Sequence, residues 1–194
     1  MITSDEALKK LITGNKRFAE RNMQHPNQTE ERQNEIIAGQ KPFAIILSCS
    51  DSRIPPEIVF DQGLGDLFVI RVAGNILDNI IKGSIEYAVD HLKVKLVMVL
   101  GHSNCGALKA AISGGRVSMN ISQIIDSLLP SVTKARELKG DIHENATKLN
   151  ILRAVEQLMA SPPVLDTLVK KGQLKIVGAY YNLETGLVEI LKHI

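Results

Sequence analysis

Apolar positions along the chain follow two rhythms. Phe43–Ser48 (FAIILS), Leu96–Leu100 (LVMVL), Leu174–Tyr180 and Asp66–Arg71 (DLFVIR) are short, nearly unbroken runs of strand length, as expected of parallel strands buried on both faces. Elsewhere the apolar residues recur every three or four positions. Leu8, Leu11 and Ile12 mark a first amphipathic helix, opened by Thr3 and Glu6 as a capping box, weakly interrupted by Gly14 and anchored last by Phe18. Thr29 caps a short helix through Ile36 and Ile37 that Gly39 closes. Pro55-Pro56-Glu57 starts another short helix, since proline is tolerated in a first turn.

A longer helix fits Asn79–Leu92, where Ile81, Ile85, Ala88, Val89 and Leu92 share one face, and a further one starts at Cys105 and stops at Gly114-Gly115. Asn120–Ala160 is helical in pattern, with Pro130 expected to divide it or open a new first turn, because interior proline costs about 3 kcal/mol. Val164–Val169 adds a short helix. Tyr181–Leu191 alternates and turns at Glu184-Thr185-Gly186, predicting a hairpin whose second arm is an antiparallel edge strand.

Strands alternating with helices specify an α/β fold: an open, mostly parallel sheet of four strands plus an antiparallel C-terminal strand, with helices on both faces. The polar run Arg21–Glu35 has few apolar anchors. Residues 1–39 are therefore expected to form an N-terminal helical arm with too little apolar surface to fold over its own domain. Residues 40–194 form the α/β core of a single domain, a length that buries one sizeable core.

Charge and composition remove several classes of function. With 23 basic and 21 acidic side chains the net charge is +2, which provides no clustered basic footprint for nucleic acid. No apolar run approaches the ~18 residues of a membrane span, and the N-terminus lacks a signal-peptide pattern. The chain has two cysteines and no disulfide framework, so a reducing, cytoplasmic compartment is expected.

Those two cysteines lie in Cys49-Ser50-Asp51-Ser52-Arg53 and Gly101-His102-Ser103-Asn104-Cys105-Gly106, each directly after a predicted strand. Ligands of open α/β sheets collect beyond the carboxyl ends of the strands. A lone buried cysteine is ordinarily an inert small apolar residue, and a loop histidine a cap. Two cysteines, a histidine and an aspartate at neighbouring strand ends are poor core material, because unpaired buried carboxylates are costly. As a donor set, Cys49, Asp51, His102 and Cys105 suit tetrahedral Zn2+. With all four bound the site is closed, as in structural zinc. If Arg53 takes the Asp51 carboxylate in a bidentate pair, a position opens for water. Zinc lowers the pKa of bound water toward ~7, so an open site provides hydroxide near neutral pH. Gly63-Leu64-Gly65 lacks the third glycine of a dinucleotide fingerprint, and no glycine-rich cradle joins Cys49 to Arg53 as a phosphate loop requires.

The two cysteine motifs, with Gly14-Asn15-Lys16-Arg17-Phe18 before them and the Gly65–Asn75 stretch (GDLFVIRVAGN) between them, resemble the beta-class carbonic anhydrases. The likeness runs in the same order from about residue 10 to 112 and stays diffuse as far as the final strands. The resemblance implies zinc-dependent reversible hydration of carbon dioxide to bicarbonate and a proton, with Asp51 orienting the hydroxide and Arg53 holding Asp51. It also implies a substrate pocket formed by Gln40, Phe68, Ala73, Tyr87 and Gly106, built across the interface of a homodimer or dimer-based tetramer, with the N-terminal arm crossing the second subunit. By their own patterns Phe68 and Tyr87 are equally ordinary strand and helix residues. Family members with a cooperative bicarbonate pocket carry tryptophan three residues before the first cysteine; here that residue is Ile46. No proton shuttle is evident among His25, His91, His143 and His193. Two other readings stand beside this one: a carbonyl sulfide or carbon disulfide hydrolase on the same scaffold, and a non-catalytic protein with structural zinc.

Overall fold

Alternation within each strand decides which helix covers which face. The structure, a computed structural model, describes residues 2–191. Its strands are β1 (Ala44–Ser48), β2 (Leu67–Arg71), β3 (Leu96–His102), β4 (Lys175–Tyr181) and β5 (Val188–Leu191). Successive side chains of a strand point to opposite faces. Ala44, Ile46, Leu96, Met98 and Leu100 enter one core, beneath α1 (Ser4–Ala19), α3 (Pro56–Val59), α5 (Gly106–Ser113) and α6 (Met119–Ala135). Ile45, Leu47, Val97 and Val99 enter a second, beneath α4 (Asn79–Asp90), α7 (Ile142–Met159) and α8 (Leu165–Lys170). With both faces covered, β1 and β3 carry no polar side, so their sequences appear as continuous apolar runs.

The strand order is β2-β1-β3-β4-β5, with the first four parallel and β5 antiparallel to β4. From β1 the chain moves first to β2 on one side and later to β3 on the other. The carboxyl ends of β1 and β3 are therefore a topological switch point, where crossovers diverge and leave a crevice. Cys49 follows β1, and His102 is the last residue of β3.

The N-terminal arm corrects one expectation. α2 (Glu30–Ile36) buries no residue, but α1 packs on its own domain, with Ala7 and Leu11 inside the first core. Gly14 does not interrupt this helix. A Cβ there would lie 1.8 Å from the Phe60 carbonyl oxygen, so glycine lets α1 press against the end of α3. Next to it the buried Asn15 donates from Nδ2 to the carbonyls of Val59 (3.1 Å) and Gly186 (2.8 Å), and its Oδ1 accepts from the Val188 amide (2.8 Å). Asn15→Ala leaves the buried Val59 carbonyl and two partly buried backbone groups without this partner and is expected to cost about 3 kcal/mol, at roughly 1–3 kcal/mol for a buried unsatisfied group. A lowered denaturant midpoint with an unchanged slope is the readout.

The polar connector after α1 is fastened in the same manner. Asp61 accepts from Arg17 Nε (2.6 Å) and the amides of Gln24 (3.0 Å) and His25 (2.9 Å), while both Asp66 carboxylate oxygens accept from Asn27 Nδ2. Burial pushes the Asp61 carboxyl up, but the two amides and Arg17 outweigh it and hold the group below its ordinary value.

Pro130 is the second correction, since it lies within α6 and does not divide it. Pro130 and Asp126, whose carbonyl loses its helical partner, are both solvent-exposed, so water can serve that carbonyl. Leu128, Val132 and Ala135 bury the opposite face, and Arg153 Nη1 donates to the Ser127 carbonyl at 2.9 Å. The helical segment instead breaks before Asp141, which caps α7 by accepting from the Glu144 amide at 2.7 Å. Among the described residues no helix is long and apolar enough to cross a membrane.

Candidate metal centre

Three ligand atoms meet at the switch point. One donor atom each from Cys49, His102 and Cys105 lies within 4.8 Å of the others, and all three residues are buried. β1 delivers Cys49 and β3 delivers His102, while Cys105 is the N-cap of α5. The second loop is tied down by the Ser103 amide donating to the Tyr181 carbonyl (2.9 Å) and the Leu183 amide donating to Ser103 Oγ (2.9 Å).

The histidine's tautomer follows from its neighbour. Nδ1 faces the Ser103 carbonyl at 2.8 Å, and a carbonyl only accepts, so Nδ1 carries the proton and Nε2 presents a lone pair. Nε2 is buried and has no hydrogen-bond partner among the described residues. An orphaned acceptor of this kind is costly unless something fills it. Two thiols and a bare imidazole nitrogen, with the backside N–H secured by a carbonyl, fit zinc in both donor type and outer-shell support. Cys49 is held well below the usual thiol range, chiefly by the hydrogen bond from Cys105 and against the effect of burial, with the Gly74 amide assisting. Cys105 is pushed up in turn because it supplies that proton. Gly74 N donates to Cys49 Sγ at 3.3 Å.

Asp51 stands beside the cluster and is engaged by Arg53. Arg53 Nε donates to Asp51 Oδ1 at 2.8 Å, Nη2 to Oδ2 at 2.7 Å, and the Arg53 amide to Oδ1 at 3.0 Å. The same Nη2 reaches the Asn104 carbonyl at 3.2 Å, linking the two loops. Asp51 Oδ2 is 3.8 Å from His102 Nε2. The Arg53 side chain is the main cause that holds the Asp51 carboxyl far below the usual carboxylate range, against a smaller upward push from burial.

Arg71 also serves the site, and the sequence reading assigned it no role. At the end of β2 it donates from Nε to the Cys49 carbonyl (3.1 Å) and from Nη2 to the Asp51 carbonyl (2.6 Å), clamping the first loop. Its register partner in β1 is Ser48, the residue before Cys49.

The expected pocket residues fall into two groups. Ala73 and Gly106 adjoin the metal cluster, being next in sequence to Gly74 and Cys105. Gln40, Phe68 and Tyr87 do not. Gln40 is exposed and precedes the amino end of β1, opposite to Cys49. Phe68 pairs with Ile45, about 13 Å down the strand from Cys49 at ~3.3 Å per residue. Tyr87, half-exposed, lies against Phe68 with ring centroids 6.3 Å apart, and the His91 ring lies tilted against Tyr87 at 5.0 Å. His143 lines a polar cavity of about 200 Å³ with Ser103, Asn104 and Tyr180. His25 lies in the N-terminal connector, and His193 falls outside the described residues. Ile46, at the position of the family's occasional tryptophan, is fully buried core.

A parallel-sheet switch point carrying a Cys-His-Cys cluster and an adjacent Asp–Arg pair defines a zinc-site α/β protein. A family model described as carbonic anhydrase matches residues 44–188. Carbonic anhydrase 2 of Mycobacterium tuberculosis is 39% identical over 192 residues, covering 97% of this chain and 93% of that protein. Among solved structures, the Coccomyxa beta-carbonic anhydrase in complex with acetazolamide superposes with a TM-score of 0.76 at 30% identity, covering 95% of this chain and 86% of that one. One of two tetrameric beta-carbonic anhydrases from Sordaria macrospora gives the same TM-score at 26% identity, with coverage of 97% and 98%. The chain belongs to the beta-class carbonic anhydrase family, and its cluster with the neighbouring ion pair is that family's arrangement for carbon dioxide hydration.

Proposed function

We propose that this chain catalyses the reversible hydration of carbon dioxide to bicarbonate and a proton, with zinc held by Cys49, His102 and Cys105 and with Asp51 and Arg53 as catalytic residues. The observation that carries this reading is the bidentate Asp51–Arg53 pair beside three buried ligands. A structural zinc site is closed by four protein ligands, whereas three ligands leave one position for chemistry. When bound, zinc supplies the Lewis acidity that makes water a hydroxide nucleophile near neutral pH. Asp51 Oδ2 accepts the nucleophile's proton in a hydrogen bond and so turns a lone pair toward the substrate carbon. Arg53 occupies both Asp51 oxygens from the other side, keeping the carboxylate ionised and aimed. Asp51 is a conditional fourth ligand, able to take the open position when the pair is broken.

Gln40, Phe68 and Tyr87 complete the pocket from a second subunit. Their place toward the amino end of the sheet supports this, as does the unpaired outer edge of β2 with its half-buried Leu67, Phe68, Val69 and Ile70. A twofold across that edge brings the amino half of one β2 beside the carboxyl half of the other, and isologous pairing is the commonest soluble assembly. Exposed Ile80 and Tyr87 lie on α4, which packs on β2. We therefore expect a homodimer, or a dimer-based tetramer of the kind described for the Sordaria proteins. Sedimentation at assay concentration should give at least twice the 21.3 kDa chain mass, and an active monomer refutes the shared pocket. Residues 1–194 act as one domain, with 1–39 the helical arm and 40–194 the α/β core. Two thiols that must stay reduced support a cytoplasmic setting.

The test is stopped-flow hydration of carbon dioxide by zinc-loaded protein, with carbonyl sulfide and carbon disulfide assayed in parallel. Turnover of carbon dioxide is expected to dominate. Preference for either sulfur substrate assigns the scaffold to a hydrolase, and zinc without turnover of any of the three assigns it to a structural-zinc protein.

A further inference from the structure

Helix α7 covers the second core and supplies none of the cluster's ligands, yet one of its side chains reaches the turn beside Cys49. Asn150 is 2% exposed and donates from Nδ2 to the Gly74 carbonyl at 2.9 Å. Gly74 in turn donates its amide to Cys49 Sγ at 3.3 Å. The turn that contains it is a single 3₁₀ turn, Ala73–Asn75, interrupted by the left-handed φ of Gly74 (69°). A turn this short has little backbone bonding of its own; the Asn75 amide reaches the Val72 carbonyl at 2.9 Å. Gly74 is walled in by Leu128 of α6 and Ala107 of α5, which would lie 3.1 and 3.3 Å from a Cβ at this position. Asn150 supplies the directional contact that sets the orientation of its carbonyl, and with it the rotation of the turn.

We propose that Asn150 is a positioning residue for the metal centre: by fixing Gly74 it keeps the Gly74 amide on the Cys49 sulfur, and so sets the aim and donor strength of that ligand. The inference rests on the zinc reading above and extends it to a side chain on a helix that holds none of the ligands. An N–H donor on a thiolate draws density from sulfur, and outer-shell contacts of this kind orient the ligand they touch. A purely structural asparagine would satisfy the Gly74 carbonyl and leave the metal's electronic environment unchanged.

The test uses full-length protein loaded with zinc, and the same protein loaded with cobalt(II). Asn150→Asp keeps the shape and removes the donor; Asn150→Leu removes all hydrogen bonding. Val155→Ala, in the same helix but packed in the second core beside Gly178, controls for lost stability. Chelator competition is expected to show zinc bound about 10–100-fold more weakly in either Asn150 variant, the usual cost of losing an outer-shell partner. The thiolate-to-cobalt charge-transfer band should move to longer wavelength, because a sulfur without its N–H donor gives up electrons more easily. Val155→Ala should change neither. A folded Asn150 variant with wild-type affinity and an unmoved band overturns the proposal. Failure of both variants to fold also overturns it and assigns Asn150 to the fold alone. A wild-type chain that takes up no zinc refutes the metal reading itself, a result seen before any variant is compared.

Discussion

Cys49→Ser and Cys105→Ser chains should each lose stoichiometric zinc, together with much of the stability of the crevice. The wild type should carry one zinc per chain. Its two thiols converge on an imidazole whose Nε2 lone pair has no other partner among the described residues, and Cys49 is already held toward the thiolate. A serine hydroxyl stays protonated near neutral pH and offers zinc no anion in exchange for the lost thiolate. Removing a direct ligand should therefore exceed the roughly 10–100-fold loss that follows removal of an outer-shell partner. Stability changes with it, because a ligand that binds only the folded state adds about 2.7 kcal/mol when free at a hundred times its Kd. Chelation of the wild type should lower the unfolding midpoint, and chelation of either serine variant should change it little. Metal analysis that finds wild-type zinc in either variant would refute the ligand set. A chelator-insensitive wild-type midpoint would show that the metal does not stabilise the fold.

What could be read from the sequence was whatever local spacing encodes. The apolar runs of β1 and β3 announced strands because helices cover both faces, and the motifs after them announced the site because strand ends are where an α/β sheet exposes side chains. Cys49, Asp51, Arg53, His102 and Cys105 all lie within a few residues of such an end. The packing of α1 was hidden, since its buried stripe includes Ala7, Gly14 and Asn15 besides Leu11. Small and polar residues in that pattern look like a solvated face. The break near Asp141 was missed because Pro130 is the stronger local signal, and its tolerance depends on which side of α6 faces water. Asn150 acts on a carbonyl 76 positions away, which no spacing reveals. Arg71 was within reach, since the residue ending one parallel strand lies beside the end of the next.

Arg53→Ala should keep its zinc and most of its stability while losing carbon dioxide hydration by about 100-fold or more, the loss that a misplaced reacting group of ~1 Å can produce. The Arg53 side chain is about half exposed, and exposed ion pairs contribute little to folding. Its effect on Asp51 is larger, because two guanidinium nitrogens and the Arg53 amide hold that carboxylate. Freed from Arg53, a carboxylate 3.8 Å from His102 Nε2 is close enough to the cluster to occupy the open position. Asp51→Ala is the complement: it cannot close the site, and it cannot accept the nucleophile's hydrogen bond, so it should be slow with a water-accessible metal. The pH dependence separates the two causes. Asp51 has its carboxyl lowered in the folded chain, so the pair's contribution is present above the ordinary carboxylate value of about 4 and is lost as pH falls through the depressed one. Asp51 therefore stays ionised at neutral and alkaline pH, and an activity that rises across that range cannot come from its titration. In metal-free Arg53→Ala the main cause of the depression is gone, so the Asp51 pKa should rise toward its ordinary value; in the zinc-loaded variant, coordination keeps the carboxylate ionised. X-ray absorption should count an added oxygen ligand from protein in Arg53→Ala and none in Asp51→Ala, alongside hydration rates for both. An Arg53→Ala protein with three protein ligands and undiminished turnover would leave Arg53 as a surface charge and remove the gate from the mechanism.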